Sequence, residues 1–298
     1  MDISLQPTAV PAGARLTPST IVVPLDGTAA ADVSLPVARW LCAAFGADLQ
    51  RVTVETSGIE DPVGLVDDDG EVEYVLHGSG VGTALIAHLA QQPGALLCMA
   101  SRARGGLQRR LSGNLVDHLV AGGSAPMVVV GPGCAQEVAG TPPATILLAA
   151  SDHMPAGSAQ LCGRWAMAMD ADVTVATVLP PVGAGVPPHP RRREGPGRRP
   201  GSDGFLGGVA SFPAGDNDPL LGPLVRTLAR AGIASQAVTL AGGTVATALL
   251  AFAETLPPPV LIVAPVGDRD GRIPGDITHH LLQRSRWPVV ASLGARHG

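Results

Sequence analysis

The chain has no lysine; its twenty basic residues are all arginine. A phosphate loop of the GxxxxGK[ST] kind is therefore excluded, because its lysine reaches the terminal phosphates. Schiff-base chemistry on a lysine amine is excluded as well. Aromatics make up only 3% of the chain, so Val, Leu and Ala must fill the core. The four cysteines, Cys42, Cys98, Cys134 and Cys162, show no CxxC spacing, and three lie in or beside apolar runs. That pattern predicts buried, reduced thiols in a cytoplasmic protein. No apolar run reaches the ~20 residues of a membrane helix, and no signal peptide is expected before the first strand. A net charge of −5 gives no reason to expect nucleic acid or an anionic membrane as partner.

Catalytic groupings are scarce too. His118 falls within a helical pattern, and His279 and His280 occupy the matching helix further on. Adjacent helical residues point in different directions, so the pair makes a poor metal site. No Ser–His–Asp or zinc spacing stands out, and the expectation is a protein that is not an enzyme, with at most slow, incidental ATP hydrolysis.

What is present is a repeat. The 298 residues are 46% hydrophobic and 15% charged, which suits two globular domains of ordinary size. "TIVVPLDG" (20–27) matches "TILLAASD" (145–152), and "ARW" (38–40) matches "GRW" (163–165), both at an offset of 125. "LHGSGVGTAL" (76–85) matches "LAGGTVATAL" (240–249), and "LLCMAS" (96–101) matches "VLIVAP" (260–265), at an offset of 164. "SGNLVDHL" and "APMVV" then match "PGDITHHL" and "WPVVA" at an offset of 162. The second copy thus gains about 39 residues, the difference between offsets of 125 and 164, and loses two inside one loop. The gain falls in a Pro/Gly/Arg-rich stretch, expected to be a mobile insertion at about 180–218. The expected domains are 15–135 and 141–295.

Within each copy, short Val/Leu/Ile runs alternate with helical patterns. This predicts an α/β fold: two tandem open parallel sheets of Rossmann-like type, five strands each, with helices on both faces. In copy one the strands fall near 20–25, 49–55, 71–76, 95–100 and 126–131, and the helices near 30–45, 80–91 and 112–123. "PVGLVDDDGEVEYVL" (62–76) breaks the alternation and reads as a hairpin about an Asp-Gly turn. Its acidic run lacks the alternating ligands of a calcium loop.

Ligands of open α/β sheets bind at the carboxyl ends of the strands. Two features of copy one meet there. Asp26 directly follows the first strand, with Gly27 and Thr28 behind it. The loop "ASRARGGLQRRLSG" (100–113) follows the fourth strand. Gly105 and Gly106 let backbone approach a ligand closely. Gly113 and Asn114 open a helix whose free N–H groups favour an anion. Arg102, Arg104, Arg109 and Arg110 bring positive charge. The residues suit a mononucleotide; they suit equally a surface crossover whose Asn caps its own helix.

The order of these pieces resembles the universal stress protein family. There a strand ends in Asp, and a later strand leads through G-x2-G-x9-G-[S/T] into a helix and a last strand opening with Pro-Val. This chain has "VVPLDGT", then "MASRARGGLQRRLSGNLVDHL", then "APMVVV", and the pattern recurs in the second half. The resemblance implies a tandem member, actinobacterial-like, with a degenerate ATP motif. It implies a site of Asp26, Gly27, Thr28, Val54, Ala100, Arg102, Arg104, Gly105, Gly106, Gly113, Asn114 and Leu115, taking ATP with Mg. Aligned on Gly113, the family's first two glycines fall on Ala100 and Ala103, and its Ser/Thr on Asn114. Copy two departs further: Ser151 stands at the Asp26 position with Asp152 one residue late, and Asp276 stands where a hydroxyl would meet phosphate, with Asp268 and Asp270 adding negative charge in the same loop. Copy two is expected to be structural.

The resemblance also implies that the final strands, "PMVVVG" (126–131) and "PVVASL" (288–293), pair across a pseudo-two-fold axis. A further homodimer and an unidentified protein partner are compatible with it. The expected function is a nucleotide-responsive stress protein. The alternative is an interaction scaffold of the same fold that works without nucleotide.

Overall fold

The computed structural model describes residues 17–55, 63–66, 72–101, 115–116, 118–119, 126–151, 158–179, 209–215, 218–266 and 276–293. The chain opens with β1 (Thr20–Leu25), α1 (Ala29–Asp32) and α2 (Ser34–Phe45). The single helix expected near 30–45 is thus divided. Pro36 has no N–H to give the carbonyl four residues back, and the Ser34 hydroxyl donates to Ala31 O at 2.7 Å. Gly46 closes α2 in the left-handed region (φ 62). Next come β2 (Asp48–Glu55), β3 (Val63–Val66), β4 (Val72–His77), α3 (Val81–Ala90), β5 (Ala95–Ala100) and β6 (Met127–Val130). Between β5 and β6, residues 115–116 and 118–119 are helical.

After the short α4 (Gln136–Ala139), the plan repeats. Half two runs β7 (Thr145–Ala149), α5 (Ser158–Met169), β8 (Asp172–Leu179), β9 (Ala210–Pro213) and α6 (Leu221–Arg230). It ends with β10 (Ser235–Ala241), α7 (Val245–Ala253), β11 (Val260–Val266), α8 (Asp276–Arg284) and β12 (Val289–Leu293).

All twelve strands form one sheet, ordered β3-β4-β2-β1-β5-β6-β12-β11-β7-β8-β10-β9. Within each half the five expected strands are parallel, in the order third, second, first, fourth, fifth. Each half also carries a sixth, outermost strand: β3 is antiparallel to β4, and β9 to β10. β3 is the first arm of the expected hairpin. β9 lies inside the segment expected to be a mobile insertion, so the end of that segment is part of the sheet. The halves join where β6 meets β12 antiparallel, through Val129↔Val289, Val128↔Val290 and Met127↔Ala291.

Two apolar layers cover the sheet, one on each face, and each spans both halves. One holds α3 and α7 with Val116, Leu119, Leu281 and Trp287. The other holds α2, α5 and α6 with Trp40 and Trp165. The repeated tryptophans act at the junction. Trp40 Nε1 donates to Ala139 O at 3.1 Å, and Trp165 packs on Phe45 of the other half at 5.1 Å between ring centres.

The halves differ between their second and third parallel strands. In half two α6 crosses there and buries Leu221 and Leu228 beside Val173 and Val175. In half one, among the described residues, no helix intervenes. The position of buried Val175 is taken by Arg51, whose Nη2 lies 3.6 Å from Glu73 Oε2, while the Thr53 hydroxyl donates to Glu73 Oε1. A strand face without a helix over it carries polar side chains; a covered one carries valine.

Candidate functional site

β1 and β5 are neighbours, but the helix after β1 lies on one face of the sheet and the helical residues after β5 on the other. Chain direction therefore diverges at the carboxyl ends of these strands, which makes the crevice where open α/β sheets take ligands.

Asp26 emerges there directly after β1 and is exposed. Gly27 has φ +72, and a side chain on it would meet nothing within 4 Å. Glycine is placed here for its backbone, not for lack of room. The turn brings Thr28 back onto Asp26: its N–H donates to Asp26 Oδ1 at 3.2 Å and its hydroxyl to the same oxygen at 2.7 Å. Thr28 also begins α1, its carbonyl accepting from Ala31 and Asp32 N–H.

Val54 lies one position beyond the register pair Leu25↔Thr53, level with Asp26 on the neighbouring strand, and is half-buried against the core. Ala100 ends β5 in extended backbone, and the next N–H, of Ser101, donates to Val130 O at 2.7 Å. A positive φ is not required at Ala100, so alanine in place of the family's glycine brings no backbone strain here. Leu115 is half-buried on the helical stretch after the loop, and a Cβ on Gly82 of α3 would lie 3.2 Å from its Cδ1. The structure thus brings Asp26, Gly27, Thr28, Val54 and Ala100 to one end of the sheet. Arg102, Arg104, Gly105, Gly106, Gly113 and Asn114 lie outside the described residues, as do Ala103, Arg109 and Arg110.

In half two, Ser151 follows β7 at the Asp26 position. Asp276 is the first helical residue of α8. Asp152, Asp268 and Asp270 lie outside the described residues. No group of three His, Cys, Asp or Glu side chains able to hold a metal occurs among the described residues. Among them, also, no helix is long and apolar enough to cross a membrane.

Sequence reasoning missed a polar cluster under α3. His88 is buried, with Nε2 3.3 Å from Gln50 Oε1 and 3.0 Å from Gln92 Nε2, and its ring 5.5 Å from Tyr74. The desolvation pushes the imidazole below its usual range. The offset of 164 places Leu256, Val238 and Phe252 where half one has Gln92, Tyr74 and His88, and strand register places Thr174, beside Leu147, where half one has Gln50 beside Val22. Comparing the two copies position by position is the signal that could have found it.

No protein-family model matches the chain, and no curated protein matches it by sequence. Solved structures do. A universal stress protein from Archaeoglobus fulgidus DSM 4304 superposes with a TM-score of 0.61 at 12% identity, over 95% of this chain and 99% of that one. A functionally unknown protein from Pseudomonas aeruginosa PAO1 gives 0.55 at 12% identity, over 93% and 92%. A putative universal stress protein from Pseudomonas aeruginosa UCBPP-PA14 gives 0.54 at 12% identity, over 93% of each. At this identity the likeness is one of fold: nearly the whole chain is built like these proteins.

Proposed function

We propose that the chain is a stress-response protein of universal stress protein type, working in the cytoplasm, whose first half takes an adenine nucleotide as a regulatory ligand. The observation that carries this reading is Asp26, exposed at the β1/β5 crevice and fixed by its own turn through Thr28. A carboxylate there suits the hydroxyls of a ribose. The room beside Gly27 suits a ligand lying against backbone. ATP would enter with Mg as its counter-ion, its phosphates reaching towards Arg102, Arg104, Gly105, Gly106, Gly113 and Asn114. Occupancy would change contacts with a protein partner, and turnover is not part of the reading. Half two keeps the architecture and carries Ser151 at the Asp26 position, with Asp152 one residue later.

The test is calorimetric titration with ATP–Mg²⁺ of the full chain and of an Asp26→Ala, Gly113→Val variant. Saturable binding at one site per chain, lost in the variant, supports the reading. No heat at millimolar ATP from folded protein overturns it and leaves a nucleotide-independent scaffold.

A further inference from the structure

We infer that two copies of the chain join through β9, the outer edges of the two strands pairing antiparallel about a two-fold axis at Ser211. β9 is the last strand of the sheet, and among the described residues nothing pairs with its outer edge. Its register with β10 fixes which groups face outward. Ala214 N–H donates to Ala237 O at 2.9 Å, and the two stand opposite each other when the register is carried on one step from Pro213↔Val238. Hydrogen-bonded and non-bonded pairs alternate along an antiparallel ladder. Phe212 and Ala210 therefore bond to β10, while Ser211 turns its N–H and C=O to the free edge. Pro213 turns out a C=O alone, because proline has no N–H.

Three features fit this edge to a second copy. The first is that it complements itself. With Ser211 opposite Ser211, each N–H donates to the other's carbonyl oxygen, and Val209 N–H of one copy donates to Pro213 O of the other. Phe212 of one copy then stands opposite Ala210 of the other, a large side chain beside a small one. The two rings lie diagonally across the axis, within reach of each other. The second feature is an apolar face beside the edge. The registers set Phe212, Thr239 and Thr177 in one row and Ala210, Ala241 and Leu179 in the next, on one face of the sheet. α6 covers that face at Val173 and Val175 but leaves Leu179 51% and Phe212 54% exposed. The third is the absence of charge: no charged residue occurs from 204 to 215, so the pair sets no like charges against each other.

The opposite end of the sheet supplies an internal reference. β3 is also an outermost strand, but in sequence it is bounded by Asp61 on one side and Asp67, Asp68 and Asp69 on the other. A pair of β3 strands would gather acidic residues at both of its ends, the usual protection of a free edge. β9 has only Pro213, which removes one bond at each end of the pair and holds it to the four residues of the strand. The chain already uses this mode of pairing at its centre, where β6 meets β12 antiparallel. A contact through so short a strand buries less than the roughly 1,200 Å² of a stable interface, so the dimer forms and separates with concentration. It lies at the far end of the sheet from β1 and β5 and does not depend on nucleotide binding there.

The test is sedimentation velocity of the full-length protein over a concentration series, with amide hydrogen exchange followed at the lowest and highest concentrations. A reversible monomer–dimer equilibrium is expected, with exchange of Ser211 N–H slowed as the dimer forms. Phe212→Lys changes an exposed position and should keep the urea midpoint. It should weaken dimerisation about tenfold or more, as for loss of an aromatic anchor. A protein that stays monomeric up to millimolar concentration overturns the contact. So does a dimer that Phe212→Lys leaves unchanged, or one whose Ser211 N–H exchanges as freely as in the monomer. Slow exchange of Ser211 in the monomer would mean that the chain covers its own edge, and it overturns the contact as well.

Discussion

Val128 pairs with Val290 across the β6–β12 seam, and the two are the same position of the two repeats, 162 residues apart. The flanking pairs, Val129 with Val289 and Met127 with Ala291, exchange under the same offset. The pseudo-two-fold axis therefore passes through the Val128–Val290 pair. An antiparallel strand pair is its own image under such an axis, so one strand sequence can serve on both sides. Joining the copies in one chain makes the pairing intramolecular.

That symmetry predicts the behaviour of the separated half. In a fragment ending near residue 140, β6, whose residues Met127 to Val130 are all buried in the full chain, becomes an apolar edge strand without its antiparallel neighbour. Such an edge is a template for pairing. The fragment is expected to sediment as a dimer through β6–β6 pairing, and Val128→Lys should return it to monomer or unfold it. A folded, monomeric wild-type fragment would show that the seam is not self-complementary.

Two glycines should respond very differently to alanine. A Cβ on Gly131 would lie 2.7 Å from Ser285 O and 3.2 Å from Leu282 O, both backbone atoms of the opposite half. A Cβ on Gly82 would lie 2.5 Å from His118 Cδ2, a side-chain atom on an exposed residue that can turn away. Gly131→Ala is expected to cost about 1–3 kcal/mol, as overpacking does, and Gly82→Ala less. Adding His118→Ala should relieve Gly82→Ala, while no single side-chain truncation relieves Gly131→Ala. Urea midpoints of wild type, Gly131→Ala, Gly82→Ala, His118→Ala and the Gly82→Ala, His118→Ala double variant decide the matter.

The parallel strands were legible because they are buried on both faces and read as unbroken apolar runs, such as Thr145–Ala149, where every residue is buried. The seam was expected from the family resemblance, with the repeat marking its two strands in "APMVV" and "WPVVA". β9 was not legible: all four of its residues are exposed, Phe212 among them, so it has no inward-facing pattern to read. The division between α1 and α2 turns on one proline and one serine hydroxyl, below the scale of periodicity. At the candidate site, Asp26 and Gly27 followed from their place after a strand.

The thiols should separate by reactivity. Burial pushes Cys134 up to about 11 and Cys162 up to about 12. Cys98 is pushed higher still, by burial first and by Cys42 second, and its Sγ donates to Ser34 O at 3.6 Å. Thiolate is the reactive form, and Cys42 is the one thiol that is not buried. In native protein at pH 8, one equivalent of iodoacetamide label is expected, on Cys42, with all four thiols reacting after unfolding. Prompt native labelling of Cys98 or Cys162 would mean that the layer beneath α2 and α5 opens readily.

His88 should make half one acid-sensitive. Its folded-state pKa is depressed below 6.5 by desolvation, so on acidification the unfolded chain takes up the proton first. The stabilisation from holding a neutral imidazole is whole above about pH 7.5. It is lost progressively as pH falls through 6.5 towards the folded-state value, and levels off below that. Half two carries Phe252 at the equivalent position, 9% exposed, so the layer accepts an aromatic ring there. His88→Phe leaves Gln50 and Gln92 without their shared partner and is expected to cost about 1–3 kcal/mol at neutral pH. It should nevertheless lose less of its remaining stability than wild type between pH 7.5 and 5.5. The difference in urea midpoint between the two proteins at each pH isolates this residue, because every other titrating group is common to both. An equal acid loss in both would place His88 in contact with water and remove it from the account of the fold.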